Sequence, residues 1–146
     1  MTTIDANHRI VVGIDGSPAA EQALQWAGQE ARMRHAVLEI DHVWSLPNLG
    51  YAGFVTQIDD FEKDAQELLD KVVGQAREAF PDLQIEANLL EGPPAPALIA
   101  RGKLADLLIV GSRGHGGFAG LMLGSVSNQI VHHASFPVVV VHSSRH

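Results

Sequence analysis

Six glycines, Gly111, Gly114, Gly116, Gly117, Gly120 and Gly124, fall between a short apolar run and a polar Ser125-Val126-Ser127-Asn128. The run Leu107-Leu108-Ile109-Val110, bounded by Gly111, reads as a buried parallel strand. The polar residues are suited to cap a helix beginning at Gln129. A strand, a glycine loop and a helix N-terminus in that order make an anion site. Backbone N–H groups converge, the helix dipole favours negative charge, and residues without a β-carbon let the main chain come close. The chemistry to expect is phosphate binding.

A second set of candidate residues closes the first apolar run. Arg9 to Ile14 reads as a buried strand, and it ends at Asp15-Gly16-Ser17-Pro18. Ser17 followed by Pro18 is a helix start, with a capping hydroxyl and then a proline whose missing N–H costs nothing there. Asp15 at the strand's carboxyl end reads more readily as a ligand contact than as a simple helix-start carboxylate.

The elements that must hold these residues follow from periodicity. Ala19, Ala20, Ala23, Leu24, Trp26, Ala27 and Ala31 recur at helical spacing, with Trp26 and Trp44 read as core or sheet-face residues. Ala36 to Trp44 is a second strand, made less uniformly apolar by polar residues at 39, 41 and 42. Ser45 to Gln57 reads as a surface loop long enough to be functional. An amphipathic helix spans Asp59 to Phe80 and stops at Pro81. Gln84 to Leu90 alternates like an edge strand. Ala95 to Ala105 reads as a short helix burdened by Pro96 and Gly102. The proline costs little if it lies in the first turn, and the glycine costs about 1 kcal/mol relative to alanine. Val138 to Val141 is the last strand.

Five strands alternating with four helices predict an open, doubly wound parallel five-stranded α/β sheet with helices on both faces. Ligands of such sheets bind beyond the carboxyl ends of the strands where the strand order reverses. The polar and glycine signals place that point between the strands ending at Gly13-Ile14-Asp15 and Gly111-Ser112-Arg113.

Composition narrows the partners. The 146 residues are expected to form a single domain, residues 1–146, with 46% apolar and 18% charged residues. The formal net charge of −7 argues against a general nucleic-acid binder. A cysteine-free chain whose opening MTTIDANHR has no apolar signal core, and which has no apolar run near ~18 residues, is expected to be cytoplasmic and not a membrane protein. Adjacent His132 and His133 point about 100° apart on a helix and do not converge on one metal ion.

Familiar phosphate motifs do not fit. The string G-x-x-x-x-G-K-[ST] is absent. Gly114 to Ala119 matches G-x-G-x-x-[GA], but it lies in the last third of the chain and no acid follows at the required distance of ~20 residues. What remains is Gly111-x2-Gly114-x9-Gly124-Ser125. With IVVGIDGSPAA at 10–20, HVW at 42–44, ADLLIVGSRGHGG at 105–117 and LGSVSNQIVHHASFPVVVVH at 123–142, the chain resembles the universal stress protein family, in its ATP-binding form, over nearly its whole length.

That resemblance implies a Rossmann-like fold of the adenine nucleotide α-hydrolase-like group, and an ATP site. Asp15 matches the acid that bonds the ribose, with Gly13 keeping the floor open. Val43 matches the position whose backbone meets adenine. Gly111 and Gly114 match the glycines against ribose and phosphates, and Ser112, Arg113, His115, Gly116 and Gly117 complete that loop. Gly124, Ser125 and Val126 match the helix start that holds the outer phosphates, with Mg2+ or Mn2+ as the accompanying cation. The resemblance further implies a stress-response role and a homodimer through Val138 to Val141. No nucleophile with its base and no paired acids stand out, so the chain is not expected to be an enzyme beyond slow ATP hydrolysis. The alternatives are an ATP-hydrolysing enzyme of the same group, a protein that takes AMP or cyclic AMP, and a nucleotide-free interaction module.

Overall fold

The computed structural model describes residues 8–46, 58–114 and 123–143. Along the chain run β1 (Arg9–Ile14), α1 (Pro18–Arg34), β2 (Val37–Trp44), α2 (Ile58–Ala79), β3 (Ile85–Glu91), α3 (Pro94–Gly102), β4 (Leu107–Gly111), α4 (Ser125–His133) and β5 (Val138–Val141). The strands form one sheet in the order β3-β2-β1-β4-β5, and every pairing is parallel. Strand order reverses between β1 and β4, as expected.

The two middle strands, β1 and β4, carry apolar residues on both sides because both sides are covered. Ile10, Val12 and Ile14 of β1 pack with Ala23, Leu24 and Ala27 of α1 and with Leu69 and Ala76 of α2. Val11, one residue out of phase, packs on the other face with Leu98 of α3 and Ile130 of α4. Among the described residues no helix is long and apolar enough to cross a membrane.

Helix α1 starts as its sequence predicts. Ser17 is the N-cap, its Oγ accepts from the Ala20 N–H at 3.2 Å, and Pro18 occupies the first turn. Helix α3 tolerates Pro94 and Pro96 for the same reason, since both fall in its first turn. Gly102 is the last residue of α3, not an interior one, and a β-carbon there would collide with the Phe136 ring.

Two expectations need correction. Helix α4 begins at Ser125, not Gln129: Gly124 is its N-cap and makes no side-chain capping bond, so Ser125 to Asn128 form the first turn. Trp26 is not a core residue; it is 38% exposed, on the outer side of a helix whose alanines already fill the interior. The polar residues that make β2 less uniformly apolar, Glu39, Asp41 and His42, are all buried. Of the expected 45–57 loop, residues 47–57 lie outside the described residues.

Candidate functional site

Beyond the carboxyl ends of β1 and β4 lies a crevice of about 460 Å3. Its walls come from several elements: Gly13 and Asp15 from the end of β1, Ala20 from α1, Val43 from β2, Pro94 and Leu98 from α3, and Gly111, Arg113 and Gly114 from β4 and the turn after it. The first turn of α4 closes the far side with Gly124, Ser125 and Val126. Ten of the residues expected from sequence are thus described, and all of them except Ser112 line one cavity. His115, Gly116 and Gly117 lie outside the described residues.

Ser112 is buried behind the crevice and acts through its backbone. Its carbonyl accepts from the Gly124 N–H at 2.6 Å and from the Ser127 hydroxyl at 2.8 Å. These two bonds clasp the ends of the glycine loop and hold the start of α4 against the end of β4. Ser127 was expected only as a capping residue, and a serine inside the first turn gives no sequence sign of bonding fifteen residues back.

The other end of the loop is tied to α1. The Ser17 hydroxyl donates to the Arg113 carbonyl at 3.3 Å while its oxygen caps the Ala20 N–H. Asp15 Oδ1 accepts from the Ser17 N–H at 2.9 Å, which fixes the carboxylate over the β1–α1 turn. Asp15 therefore serves both readings given to it, orienting the helix start and facing the crevice. His42 supports the same turn from below, its Nδ1 donating to the Ile14 carbonyl at 2.9 Å.

The glycines of the site are there because neighbours stand where a side chain would go. A β-carbon on Gly13 would lie 2.8 Å from Leu98 Cδ1, and one on Gly111 would lie 2.7 Å from the Ala19 carbonyl carbon. One on Gly124 would press on the Arg113 Cα at 3.2 Å. Gly111 is the last residue of β4, and its bareness lets α1 approach the sheet.

The two helix starts differ in what they leave open. Helix α1 is capped by Ser17; α4 follows a glycine without any capping side chain and presents Ser125, exposed, at its tip. The first N–H groups of an α-helix have no partner within it. Those of α4 therefore face the crevice as an uncompensated positive pole, suited to an anion. Around the rest of the cavity, Val43, Leu98, Val110 and Val126 give an apolar surface on which a flat ring would be at home. Phosphate at one end, a planar base at the other and a carboxylate between are what a nucleotide requires.

The chain is similar to known proteins. A model of the universal stress protein family matches residues 6–142. A universal stress protein of Mycolicibacterium smegmatis is 36% identical over 141 residues, a stretch covering 94% of this chain and 46% of that protein. The chain thus spans about half the length of the curated relatives it matches. Among solved structures, a universal stress protein in complex with cAMP matches with a TM-score of 0.70 at 30% identity, over 96% of this chain and 100% of that one. A universal stress protein from Archaeoglobus fulgidus in complex with dAMP matches with a TM-score of 0.67 at 26% identity, over 95% and 99% of the two chains.

Proposed function

Because the chain belongs to the universal stress protein family, we propose that its crevice binds an adenine nucleotide, with ATP as the physiological ligand, and that the protein is a cytoplasmic stress-response regulator. The observation that carries this reading is the uncapped start of α4, converging with Asp15 and the apolar wall on one cavity. The α4 N–H groups and the Ser125 hydroxyl take the phosphates, one oxygen of Asp15 takes a ribose hydroxyl, and the base lies between Val43 and Leu98. Relatives in complex with cAMP and with dAMP support an adenine nucleotide.

Among the described residues no three His, Cys, Asp or Glu side chains are grouped to hold a metal ion. A Mg2+ or Mn2+ ion in this reading travels with the phosphate oxygens, and Ser125 is the side chain placed to meet it. The protein binds and reports the nucleotide; dedicated turnover is not its role. Its partner is a second copy of the chain, joined at the β5 edge. That edge carries four half-buried valines, whereas the opposite edge, β3, carries Glu86, Asn88 and Glu91. An apolar open edge invites pairing and a charged one discourages it.

The direct test is to denature the purified protein and identify what it releases by chromatography and mass. Near-stoichiometric ATP is the expected result. ADP would favour a hydrolase, and AMP or cyclic AMP a different ligand for the same site. No nucleotide, followed by no uptake of ATP in titration, would overturn the reading in favour of an interaction module.

A further inference from the structure

Beneath α3 the sheet carries a buried polar cluster that nucleotide binding does not use. Glu39 and Asp41 are two residues apart on β2, so their side chains share a face, and both are 0% exposed. Arg101, in the last turn of α3, grips Glu39 with two bonds, Nε to Oε2 at 2.8 Å and Nη2 to Oε1 at 2.7 Å. Arg9 of β1 donates from Nη1 to Glu39 Oε1 at 2.8 Å and to Glu86 Oε1 of β3 at 2.8 Å. Asn88 of β3 donates to Asp41 Oδ1 at 3.0 Å. Asp41 Oδ2 is left buried with no hydrogen-bond donor among the described residues, and the Nε of Arg101 stands 3.9 Å from it.

A buried carboxylate oxygen without a donor is costly, and a proton removes most of that cost. The charges around it point the same way. Glu39 and Glu86 are balanced by Arg9 and Arg101, so a neutral Asp41 leaves the cluster neutral and an ionised one leaves an uncompensated negative charge. Burial pushes the Asp41 carboxyl upward, and Glu39 adds to the push, first as an acceptor for the Asp41 proton and then by its charge.

We propose that the Arg101–Glu39 pair is a latch that positions the α3 wall of the crevice, and that a proton on Asp41 keeps it closed. The crevice role of that wall rests on the nucleotide reading above. Arg101 is three residues beyond Leu98 and seven beyond Pro94, the two α3 residues that line the cavity, so all three lie along one side of the helix. Leu98 in turn fills the space over Gly13. Asp41 lies about 6.6 Å further along β2 than Glu39, toward the crevice. Once ionised it competes for Arg101, whose planar fork cannot serve both carboxylates in the two-bond geometry. The grip on Glu39 loosens, α3 shifts, and nucleotide binding must restore the wall.

Asp41→Asn imitates the protonated state, with an amide N–H₂ where the proton would be. The test measures ATP affinity by calorimetry at pH 7 and pH 9, and amide hydrogen exchange across α3 in the nucleotide-free protein. We expect wild-type affinity to fall by about fivefold or more between the two pH values, an ordinary strength for coupling between sites. The D41N protein should hold its affinity, and at pH 9 its α3 amides should exchange more slowly than those of wild type. The same pH slope in both proteins, or equal α3 protection at pH 9, overturns the latch. If neither protein binds ATP at pH 7, the nucleotide reading fails, and exchange alone then confirms or overturns the latch. Should D41N not fold, the wild type supplies its own reference: α3 must lose protection relative to α4 between pH 7 and pH 9, and a constant ratio overturns the proposal.

Discussion

Asp15 and Gly114 face each other so closely that nothing larger than a hydrogen fits between them: Asp15 Oδ2 lies 2.5 Å from where a β-carbon on Gly114 would stand. This pairs the carboxylate at the end of β1 with the turn after β4, the two sides of the point where strand order reverses. It also separates the effects of substitution at the two positions.

Gly114→Val should abolish nucleotide binding while leaving the fold intact. The new side chain displaces the Asp15 carboxylate and fills the phosphate end of the crevice, yet Gly114 lies outside every strand and helix. Circular dichroism and a titration with ATP check this. Affinity like that of wild type in the folded variant would remove Gly114 from the site.

Asp15→Ala should weaken nucleotide affinity by about 1–3 kcal/mol, the range for a hydrogen bond to a charged group. It also removes the acceptor for the Ser17 N–H, so a smaller loss of stability accompanies the loss of affinity. Calorimetry and a urea melt on the same preparation separate the two. Unchanged affinity would mean that the carboxylate serves only the α1 start.

Ser127→Ala deletes a buried hydroxyl from the Ser112 carbonyl but leaves the Gly124 N–H bonded there. A stability loss of about 1 kcal/mol is expected for one hydrogen bond. If the clasp shapes the phosphate end, ATP should lose more affinity than adenosine. Equal losses for the two ligands would make Ser127 a general stabiliser.

Asp41 should make the protein less stable as the pH rises from mildly acidic to mildly basic. Burial first, and then Glu39, push its carboxyl up to about 8, whereas the unfolded chain releases that proton near pH 3.9, at roughly the unperturbed value. Between those limits the folded state binds one proton more than the unfolded state. The stabilisation is therefore complete below the lower limit and is lost as the pH climbs through the upper one. Glu39 runs the other way: burial opposes its ionisation, but the hydrogen bonds from Arg101 and the charge of both arginines hold it below its ordinary range. Its contribution is present at neutral pH and is lost in acid. Urea midpoints at pH 5, 7 and 8.5 should fall in wild type and stay nearly level in Asp41→Asn. Parallel curves would place the titrating group elsewhere.

The sequence by itself determined the elements, their order and the place of the crevice. The uninterrupted apolar runs at 10–12 and 107–110 need cover on both sides, which only a parallel sheet with helices on each face provides. Ser17-Pro18 marks a helix start through chemistry local to two residues. The glycine spacing from Gly111 to Gly124 announces a loop that must approach something closely. Interactions within a few residues leave such marks, and they suffice for the crevice between β1 and β4. What only the tertiary structure decided depends on residues far apart in the chain. Ser112 turns out to hold the loop from behind, because its carbonyl meets Gly124 and Ser127. Gly102 is a glycine because of Phe136, a strand and a helix away. Glu39 and Asp41 read as a break in an apolar strand, yet Arg9 and Arg101 come from 30 and 62 residues away to make Glu39's burial affordable. A charge can be buried only with its partner in place, and the partner is chosen by the crossing of α3 over the sheet, which no local pattern encodes.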